Sequence, residues 1–238
     1  NSSEKMNVLI GKFISLKKIE VLNLSKNVGS QKAIATGLLY LKKKKGDFII
    51  TIMDSDGEDD PMQVPKMIRL AKANPDHVIT SNRKSRKESK IIIFLYNMHL
   101  FLTFLFTFKW ISFGNFSSFK KKNLSRLLTD NSSSFAHSSA VMKNCSILRV
   151  YAKRKKRYFD KSKLSLFSLV QHSLRVNAVF FKNVVFFSAI YIFLAVVFFS
   201  KVLALIIIFT IIIFNFLVLF MRLKFRKEEI DYWKKKIF

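Results

Sequence analysis

Five of the fifteen acidic residues in this sequence fall within seven positions, in the segment 54–60 (Asp-Ser-Asp-Gly-Glu-Asp-Asp). The whole chain carries a net charge of +27, so this acidic segment is a local exception. Carboxylates this close repel one another, and a cation among them relieves the repulsion. Oxygen ligands at alternate positions suit Mg²⁺ or Mn²⁺. The segment therefore predicts a metal site with Asp54, Asp56 and Glu58 as ligands, and a solvated acidic turn is the alternative.

The acidic segment lies where an α/β protein usually holds its ligands. It directly follows an apolar run at 48–53, which predicts a buried strand, and Pro61 suits the first turn of a following helix. Open α/β sheets bind ligands at the carboxyl ends of their strands. This order of patterns favours a metal ion bound together with a phosphate group.

Patterns typical of strands and helices alternate along the first two thirds of the chain. Strands are predicted at 19–24, 48–53, 77–81 and 147–152, with a strand or turn at 114–119, and helices at 30–45 and from Pro61 to about residue 74. This alternation is typical of a doubly wound α/β fold, so we expect a mostly parallel sheet. The serine-rich segment 131–139 predicts a mobile loop.

Two further segments bear on binding and on the membrane. A basic loop at 81–87, with Arg83 and Arg86, follows a predicted strand and would face the same side of the sheet as the acidic segment. The apolar stretch 91–113 is interrupted by polar residues, which favours an interfacial helix over a third membrane span. The segment 164–179 predicts an amphipathic helix that leads into the membrane.

Two uncharged apolar runs, 183–200 and 202–221, are separated by Lys201 alone. Each is close to the roughly 20 residues that a helix needs to cross a ~30 Å hydrocarbon core. A buried pair of core helices is the alternative, but Phe and Ile occur on all faces of both runs. We therefore expect a transmembrane hairpin of two helices.

The positive charge flanks this hairpin. Eight Lys or Arg lie between Arg149 and Lys163 and seven between Arg222 and Lys236, whereas the tip has only Lys201. The positive-inside rule then places both flanks in the cytoplasm. Basic clusters beside a span also attract anionic lipid headgroups, so we expect membrane lipids as partners and no nucleic acid. The single cysteine, Cys145, excludes an internal disulfide and a thiolate metal site.

Several stretches together resemble the family 2 inverting glycosyltransferases, and above all the membrane-anchored, dolichol-phosphate mannose synthase-like group that acts on polyprenyl phosphates. The segment 27–33 (Asn-Val-Gly-Ser-Gln-Lys-Ala), with Gly37 beyond it, is similar to the family's Asn-X-Gly segment. The segment 54–61 resembles its metal motif with the trailing acid and proline. The segment 157–163 resembles its Arg-X-X-Gly-X-Ser-Lys stretch. The resemblance covers about residues 1–222.

The resemblance implies a GT-A-like, Rossmann-like nucleotide-diphospho-sugar transferase domain with Mg²⁺ or Mn²⁺ as cofactor. It implies the metal ligands Asp54, Asp56 and Glu58. The residues implied in catalysis are Asp56, Arg83 and Asn115. The residues implied in substrate binding are Asn27, Gly29, Lys32, Asp54, Arg86, Arg157, Ser162 and Lys163.

Three positions depart from the family pattern. The segment 1–4 is similar to the end of the family's Asp-Asp-X-Ser motif, so we expect the first strand and its nucleotide-binding aspartates to be missing from this sequence. Asn115 stands where many relatives carry an Asp assigned as the catalytic base, and an amide does not accept a proton at neutral pH. Asp160 replaces the usual glycine of the 157–163 stretch and leaves the shape of that loop open.

These expectations describe a transferase that moves a sugar from a nucleotide-diphosphate sugar to a membrane polyprenyl phosphate, with inversion, for cell-envelope glycan or glycolipid synthesis. A saccharide acceptor and a non-catalytic membrane-anchored relative are the alternatives. The expected organisation is a catalytic domain at 1–163, an interfacial helix at 164–181, two transmembrane helices at 182–222 and a basic cytoplasmic tail at 223–238. The catalytic domain would face the cytoplasm at a bacterial inner membrane. The sugar, the nucleotide, the lipid and the oligomeric state are left open.

Overall fold

Four strands and eight α-helices form most of the described part of the chain in a computed structural model. The described residues are 16–25, 27–83, 90–130, 132–152, 155 and 166–236. The strands are β1 (Ile49–Ile52), β2 (His77–Arg83), β3 (Phe113–Lys120) and β4 (Ser146–Ala152). The helices are α1 (Ser30–Lys43), α2 (Val64–Ala73), α3 (Lys90–Thr107), α4 (Asn123–Leu127), α5 (His137–Asn144), α6 (Leu166–Val179), α7 (Phe181–Phe198) and α8 (Lys201–Lys236). Short 3₁₀ helices lie at Pro61–Gln63 and Ser132–Ser134.

The strands form one mixed sheet in the order β1-β3-β2-β4. β3 lies between β1 and β2 and runs antiparallel to both, with Ile50 opposite Phe119 and Ile79 opposite Ser118. β2 and β4 are parallel, with Ile79 opposite Leu148. The α/β class is confirmed, but the predicted mostly parallel sheet is wrong, because only one of these three pairings is parallel. Alternating side chains reveal which residues face a core and not which way a strand runs, so β3 gave no sign of its direction.

Neighbouring residues of a strand pack into separate cores on the two faces of the sheet. Val78 packs in one core with Leu38 of α1, and Ile79 packs in the other with Met67 and Ala71 of α2. Because strand side chains alternate, helices must cover both faces. The helices predicted at 30–45 and from Pro61 to about residue 74 are confirmed, as are the strands predicted near 48–53, 77–81, 114–119 and 147–152.

The predicted strand at 19–24 is wrong. This segment has no regular secondary structure, and Ile19, Val21 and Leu22 are exposed. A strand is stabilised by pairing with a neighbour, and apolar β-branched residues alone do not supply that partner. Contacts of Glu20 with Lys18, Lys44 and Tyr40 hold the segment to the end of α1 and keep the pKa of Glu20 at about 2.

The serine-rich segment 131–139, predicted as a mobile loop, is packed in its described part. Ser133 and Ser139 are almost fully buried, and the 3₁₀ helix of this segment packs against α1 and α5. Burial opposes the charge of Asp130, but hydrogen bonds from Lys143, Ser132 and Asn144 outweigh it and lower its pKa to about 2. Small hydroxyl side chains fit a tight interior, so a serine-rich composition alone does not indicate a mobile loop.

The helix predicted over 91–113 is shorter than expected. α3 ends at Thr107 because Phe108 has a positive φ of 55°, the left-handed conformation that often stops a helix. The N–H of Lys109 then donates to Oγ1 of Thr107 across 3.2 Å. After this turn the chain continues to β3, which begins at Phe113.

Within the described residues, two helices are long and apolar enough to cross a membrane, Phe181–Phe198 and Lys201–Lys224. Most of their apolar side chains are exposed. They are joined to each other by a hydrogen bond of 2.7 Å from Nδ2 of Asn215 to Oγ of Ser188. Oη of Tyr191 in α7 also donates to the carbonyl of Leu105 in α3 across 2.6 Å. The backbone of α8 continues without a break to Lys236, through the segment predicted as a basic tail.

Candidate active site

An open cleft lies at the carboxyl ends of β1, β2 and β4. β3 runs in the opposite direction, so it contributes its first residues to the same edge of the sheet. Four acidic residues line the cleft of this strongly basic protein. The full lining consists of Asp54, Glu58, Asp59, Asp60, Ser81, Asn82, Gly114, Asn115, Phe116 and Ala152.

The acidic segment uses part of its carboxylates to fold its own loop. Oδ2 of Asp59 accepts a hydrogen bond from the N–H of Asp54 (3.0 Å), and Oδ1 of Asp56 accepts from the N–H of Glu58 (3.0 Å). Gly57 permits the turn between them with a φ of 84°. Asp60 caps the 3₁₀ helix that follows through the N–H of Met62 (3.1 Å). The loop is therefore folded by hydrogen bonds between its own carboxylates and backbone.

The predicted metal ligands differ in their positions. Asp54 and Glu58 line the cleft, whereas Asp56 is not among the lining residues. In the described part of the chain, no three His, Cys, Asp or Glu side chains are grouped as metal ligands would be. The donors at the cleft are nevertheless carboxylate oxygens, which is the chemistry that Mg²⁺ and Mn²⁺ prefer. The ligand set of Asp54, Asp56 and Glu58 stays a prediction.

Asn115, the first polar side chain of β3, is hydrogen-bonded in both directions. Its Nδ2 donates to Oδ1 of Asp54 across 3.1 Å, and its Oδ1 accepts from Nε2 of Gln31 across 3.2 Å. Oε1 of Gln31 in turn accepts from the backbone N–H of His137 across 2.6 Å. A continuous set of hydrogen bonds thus connects the start of α5 to the cleft.

A buried histidine, His137, supports the cleft residue Asn115 through Ser117. The ring Nε2 of His137 lies 3.0 Å from Oγ of Ser117, which donates to the carbonyl of Asn115 (3.0 Å). His137 is fully buried, and burial lowers its pKa to about 4. The imidazole is therefore neutral at physiological pH, and it cannot act as a charged group toward the cleft.

Lys155 lies at the rim of the cleft. Its ammonium group is 2.9 Å from Oδ1 of Asp60, and its backbone N–H donates to the carbonyl of Glu58 across 3.0 Å. The bond from Lys155, together with the N–H of Met62, lowers the pKa of Asp60 below its usual value. These contacts hold one residue of the basic stretch 153–157 against the acidic loop.

The other predicted residues fall into two groups. Asn27, Gly29 and Lys32 lie at or just before the start of α1 and are not part of the cleft lining. Oδ1 of Asn27 accepts a hydrogen bond from the N–H of Gly29 (3.0 Å), and Gly29 has a φ of 78°. The backbone of Arg83 ends β2, beside the cleft residue Asn82. The side chain of Arg83 and the residues Arg86, Arg157, Ser162 and Lys163 lie outside the described part of the structure.

Sequence reasoning missed Gln31, Asn82 and His137. Gln31 occurs within the recognised segment 27–33, but an amide in a helix carries no signal of a distant partner. Asn82 is almost fully buried in the cleft wall and donates to Oγ of Ser112 across 2.8 Å, while its Oδ1 has no partner among the described residues. Its position directly before Arg83 at a predicted strand end was the only available indication.

Residues 2–151 match the protein family described as Glycosyl transferase family 2. A search of the curated proteins finds no match. The matched range covers more than half of the 238-residue chain, and it contains the acidic loop, Asn115 and all of the sheet except the last residue of β4. Enzymes of this family take their sugar from a nucleotide sugar and commonly use a divalent metal. This chain therefore belongs to glycosyl transferase family 2, with the GT-A nucleotide-sugar transferase fold.

Proposed function

We propose that this glycosyltransferase transfers its sugar to a membrane polyprenyl phosphate, with inversion at the anomeric carbon. The observation that carries the proposal is the contact of Lys155 with Asp60 and Glu58 at the rim of the cleft. Lys155 is the middle of five consecutive basic residues at 153–157, and the apolar helices α6 to α8 follow. A lysine held at the rim of the cleft, within a basic stretch that precedes the apolar helices in sequence, suits an anionic acceptor that arrives from a bilayer.

The bilayer itself is part of the proposal. α7 and the part of α8 up to Lys224 expose most of their apolar side chains, and a hydrocarbon environment covers such surfaces better than water does. Basic clusters precede α7 and follow the apolar part of α8, while Lys201 alone lies at the hairpin tip. This asymmetry favours a catalytic domain on the cytoplasmic side, with α3 and α6 at the membrane surface.

The diphosphate of the sugar donor is proposed to lie beside the acidic loop. Asp54, Asp56 and Glu58 would hold Mg²⁺ or Mn²⁺ there, and this ion supplies positive charge that stabilises the departing diphosphate. Arg83, whose backbone ends β2, and Arg86, three residues later in the sequence, would bind phosphate oxygens, for which the planar guanidinium group is well suited. Other proposed substrate contacts are made by Asn27, Gly29, Lys32, Arg157, Ser162 and Lys163.

A phosphate acceptor also accounts for the amide at position 115. A phosphate oxygen is already ionised at neutral pH, so it attacks the anomeric carbon without giving up a proton. The bond from this carbon to the diphosphate oxygen breaks, and the nucleoside diphosphate leaves with the electron pair. A hydroxyl acceptor would need a general base, and Asn115 cannot serve as one.

The experiment is a product analysis. Membranes containing the protein are incubated with radiolabelled UDP-glucose, UDP-N-acetylglucosamine or GDP-mannose, with and without added undecaprenyl phosphate, and the products are extracted into organic solvent. We expect label in the lipid fraction only when the phosphate is present, and we expect mild acid to release it as free sugar. Label confined to water-soluble or polysaccharide material would contradict the lipid-phosphate acceptor and favour a saccharide acceptor instead.

A matched pair of variants separates the enzyme from contaminating transferases. Asp54→Asn removes a carboxylate that lines the cleft. Asp47→Asn removes an exposed carboxylate that pairs with Lys120 near the amino end of β1, the opposite end from the cleft. We expect Asp54→Asn to abolish labelling of the lipid and Asp47→Asn to leave it unchanged. Equal labelling by both variants would show that the product comes from another enzyme.

A further inference from the structure

We propose that Gln31 is a positioning residue that orients the amide of Asn115 and, through it, the carboxylate of Asp54. We call the series of hydrogen bonds from the N–H of His137 through Gln31 and Asn115 to Asp54 the amide relay. The proposal rests on the proposed use of Asp54 at the sugar donor. It assigns a role to Gln31 and gives Asn115 a purpose other than that of a base.

The direction of the amide relay is forced at its first member. A backbone N–H can only donate, so the side chain of Gln31 must turn its oxygen toward His137 and its Nε2 toward Asn115. Two amide nitrogens cannot donate to each other, so Asn115 must turn its oxygen toward Gln31. Its Nδ2 is then left to donate to Asp54, and an ionised carboxylate accepts that bond.

The first three members of the amide relay are each held by a different helix or strand. Gln31 lies in the first turn of α1, His137 is the first residue of α5, and Asn115 belongs to β3 next to the buried Phe116. Hydrogen bonds from residues behind a site fix the geometry of the residues that face a ligand. The relay therefore positions Oδ1 of Asp54, a residue that lines the cleft.

The same geometry explains why an amide suits position 115. An aspartate there would place two carboxylates about 3 Å apart, since Asn115 Nδ2 is 3.1 Å from Oδ1 of Asp54. Like charges at that distance repel strongly in a partly buried site. Asn115 removes that repulsion and donates a hydrogen bond in its place. The asparagine that replaces the family's aspartate at position 115 therefore occurs together with a hydrogen bond from Gln31 to its side chain.

A purely structural role for Gln31 is the competing explanation. Oε1 of Gln31 satisfies an N–H at the start of α5, which has no partner inside that helix. Gln31→Glu separates the two roles, because its carboxylate still accepts from His137 and cannot donate to Asn115. Asn115 then has a carboxylate on both sides and can donate to only one of them, so the pair of bonds that fixes its amide is lost whichever way it turns. The variant keeps the hydrogen bond to the start of α5 and interrupts the amide relay.

The test measures nucleoside diphosphate release in membrane vesicles with undecaprenyl phosphate, using whichever of UDP-glucose, UDP-N-acetylglucosamine and GDP-mannose is turned over fastest. We expect Gln31→Glu to lower kcat about tenfold, the effect of one charge-assisted hydrogen bond. The KM for undecaprenyl phosphate and the melting temperature should stay unchanged. In an Asn115→Ala background the relay is already broken, so Gln31→Glu should change kcat by less than about twofold.

The proposal is overturned if a stable Gln31→Glu protein has the kcat of the unmodified enzyme, or if the tenfold loss persists in the Asn115→Ala background. Should Gln31→Glu not fold, Asn115→Asp decides the question, because it keeps the bond from Gln31 and places a second carboxylate beside Asp54. We expect Asn115→Asp to lower kcat about tenfold as well. A raised kcat would show that position 115 works best as a base, which contradicts the proposal.

Asp54→Asn distinguishes this proposal from the proposed function. If Asp54→Asn leaves turnover unchanged, the assignment of Asp54 to the sugar donor is wrong, and the proposal for Gln31 is overturned with it. If Asp54→Asn abolishes turnover while Gln31→Glu and Asn115→Asp have no effect, only the amide relay is wrong.

Discussion

The imidazole Nε2 of His137 and the hydroxyl oxygen of Ser117 lie 3.0 Å apart, beneath the cleft and fully out of contact with water. Because the hydroxyl of Ser117 donates to the carbonyl of Asn115, the hydroxyl oxygen is left to accept, and Nε2 of His137 carries the proton. Burial lowers the pKa of His137 to about 4 from an ordinary value of 6.5. A neutral histidine therefore supports the wall of the active site.

The first prediction concerns stability against pH. Unfolding exposes His137, and between pH 6.5 and pH 4 the unfolded chain binds a proton that the folded protein does not. The free energy of unfolding therefore falls as the pH drops through this window, by up to about 3 kcal/mol. The carboxylates Glu20 and Asp130, whose pKa values are lowered to about 2, contribute mainly below their ordinary values of 4.5 and 3.8, so Glu20 adds to the slope only at the acidic end of this window. Urea titrations in detergent at several pH values measure the slope.

His137→Gln is the matched control for this slope. The Nε2 of glutamine reaches the same hydroxyl as Nε2 of the imidazole, but it does not titrate. We expect the variant to lose most of the dependence between pH 6.5 and pH 4. An undiminished slope in His137→Gln would show that another group is responsible.

The second prediction concerns Lys155 at the rim of the cleft. If the basic stretch receives an anionic acceptor, Lys155→Gln should raise the KM for undecaprenyl phosphate about threefold and leave the KM for the nucleotide sugar unchanged. Lys122→Gln is the control, since Lys122 makes a similar exposed ion pair, 2.8 Å from Asp76, on another part of the surface. Equal effects of the two substitutions on both KM values would argue against a local role for Lys155.

The third prediction concerns the metal and Asp56. Asp56→Asn keeps an oxygen that accepts from the N–H of Glu58, so the turn of the acidic loop is preserved while the charge is lost. We expect this variant to fold normally and to lose at least about 100-fold in turnover, and we expect excess chelator to inactivate the unmodified enzyme. Full activity in chelator would rule out a metal, and full activity of Asp56→Asn would remove Asp56 from the site.

The sheet shows how far local patterns reach. The apolar residues Val78 and Ile79 indicate a buried strand, and this strand was predicted correctly. In the structure these two neighbours face different cores. The reversed direction of β3 follows from which strands it pairs with, which no local pattern records. The apolar residues Ile19, Val21 and Leu22 looked equally strand-like but are exposed and pair with nothing in the described residues.

The site shows the same division. Asp54 could be predicted because a carboxylate directly after a buried strand lies at the edge where ligands bind, and the structure places it in the cleft. The partnership of Gln31 with Asn115 joins residues 84 positions apart. It depends on how α1, α5 and β3 pack, and packing of that kind has no signature in either residue. The buried serines of 132–134 were misread for the same reason.

The fourth prediction concerns membrane topology. Ser200 lies exposed between α7 and α8, at the tip of the proposed hairpin. In a Cys145→Ser background, Ser200→Cys should react with a membrane-impermeant maleimide added outside intact cells. The unmodified protein, which keeps Cys145, is the control: burial raises the pKa of Cys145 to about 11, so its thiol should react slowly even in broken membranes. Labelling of Ser200→Cys only after the membrane is disrupted would contradict the two-span topology.

The most direct test of the central claim compares two acceptors that differ only in their head group. Undecaprenyl phosphate and undecaprenol are presented in identical vesicles with the nucleotide sugar that the enzyme uses, and lipid-linked sugar is measured at pH 7. An enzyme with an amide at position 115 should glycosylate the ionised phosphate and leave the alcohol unmodified, because only the alcohol needs a base. Comparable transfer to undecaprenol would show that the enzyme has a general base and would contradict the lipid-phosphate account.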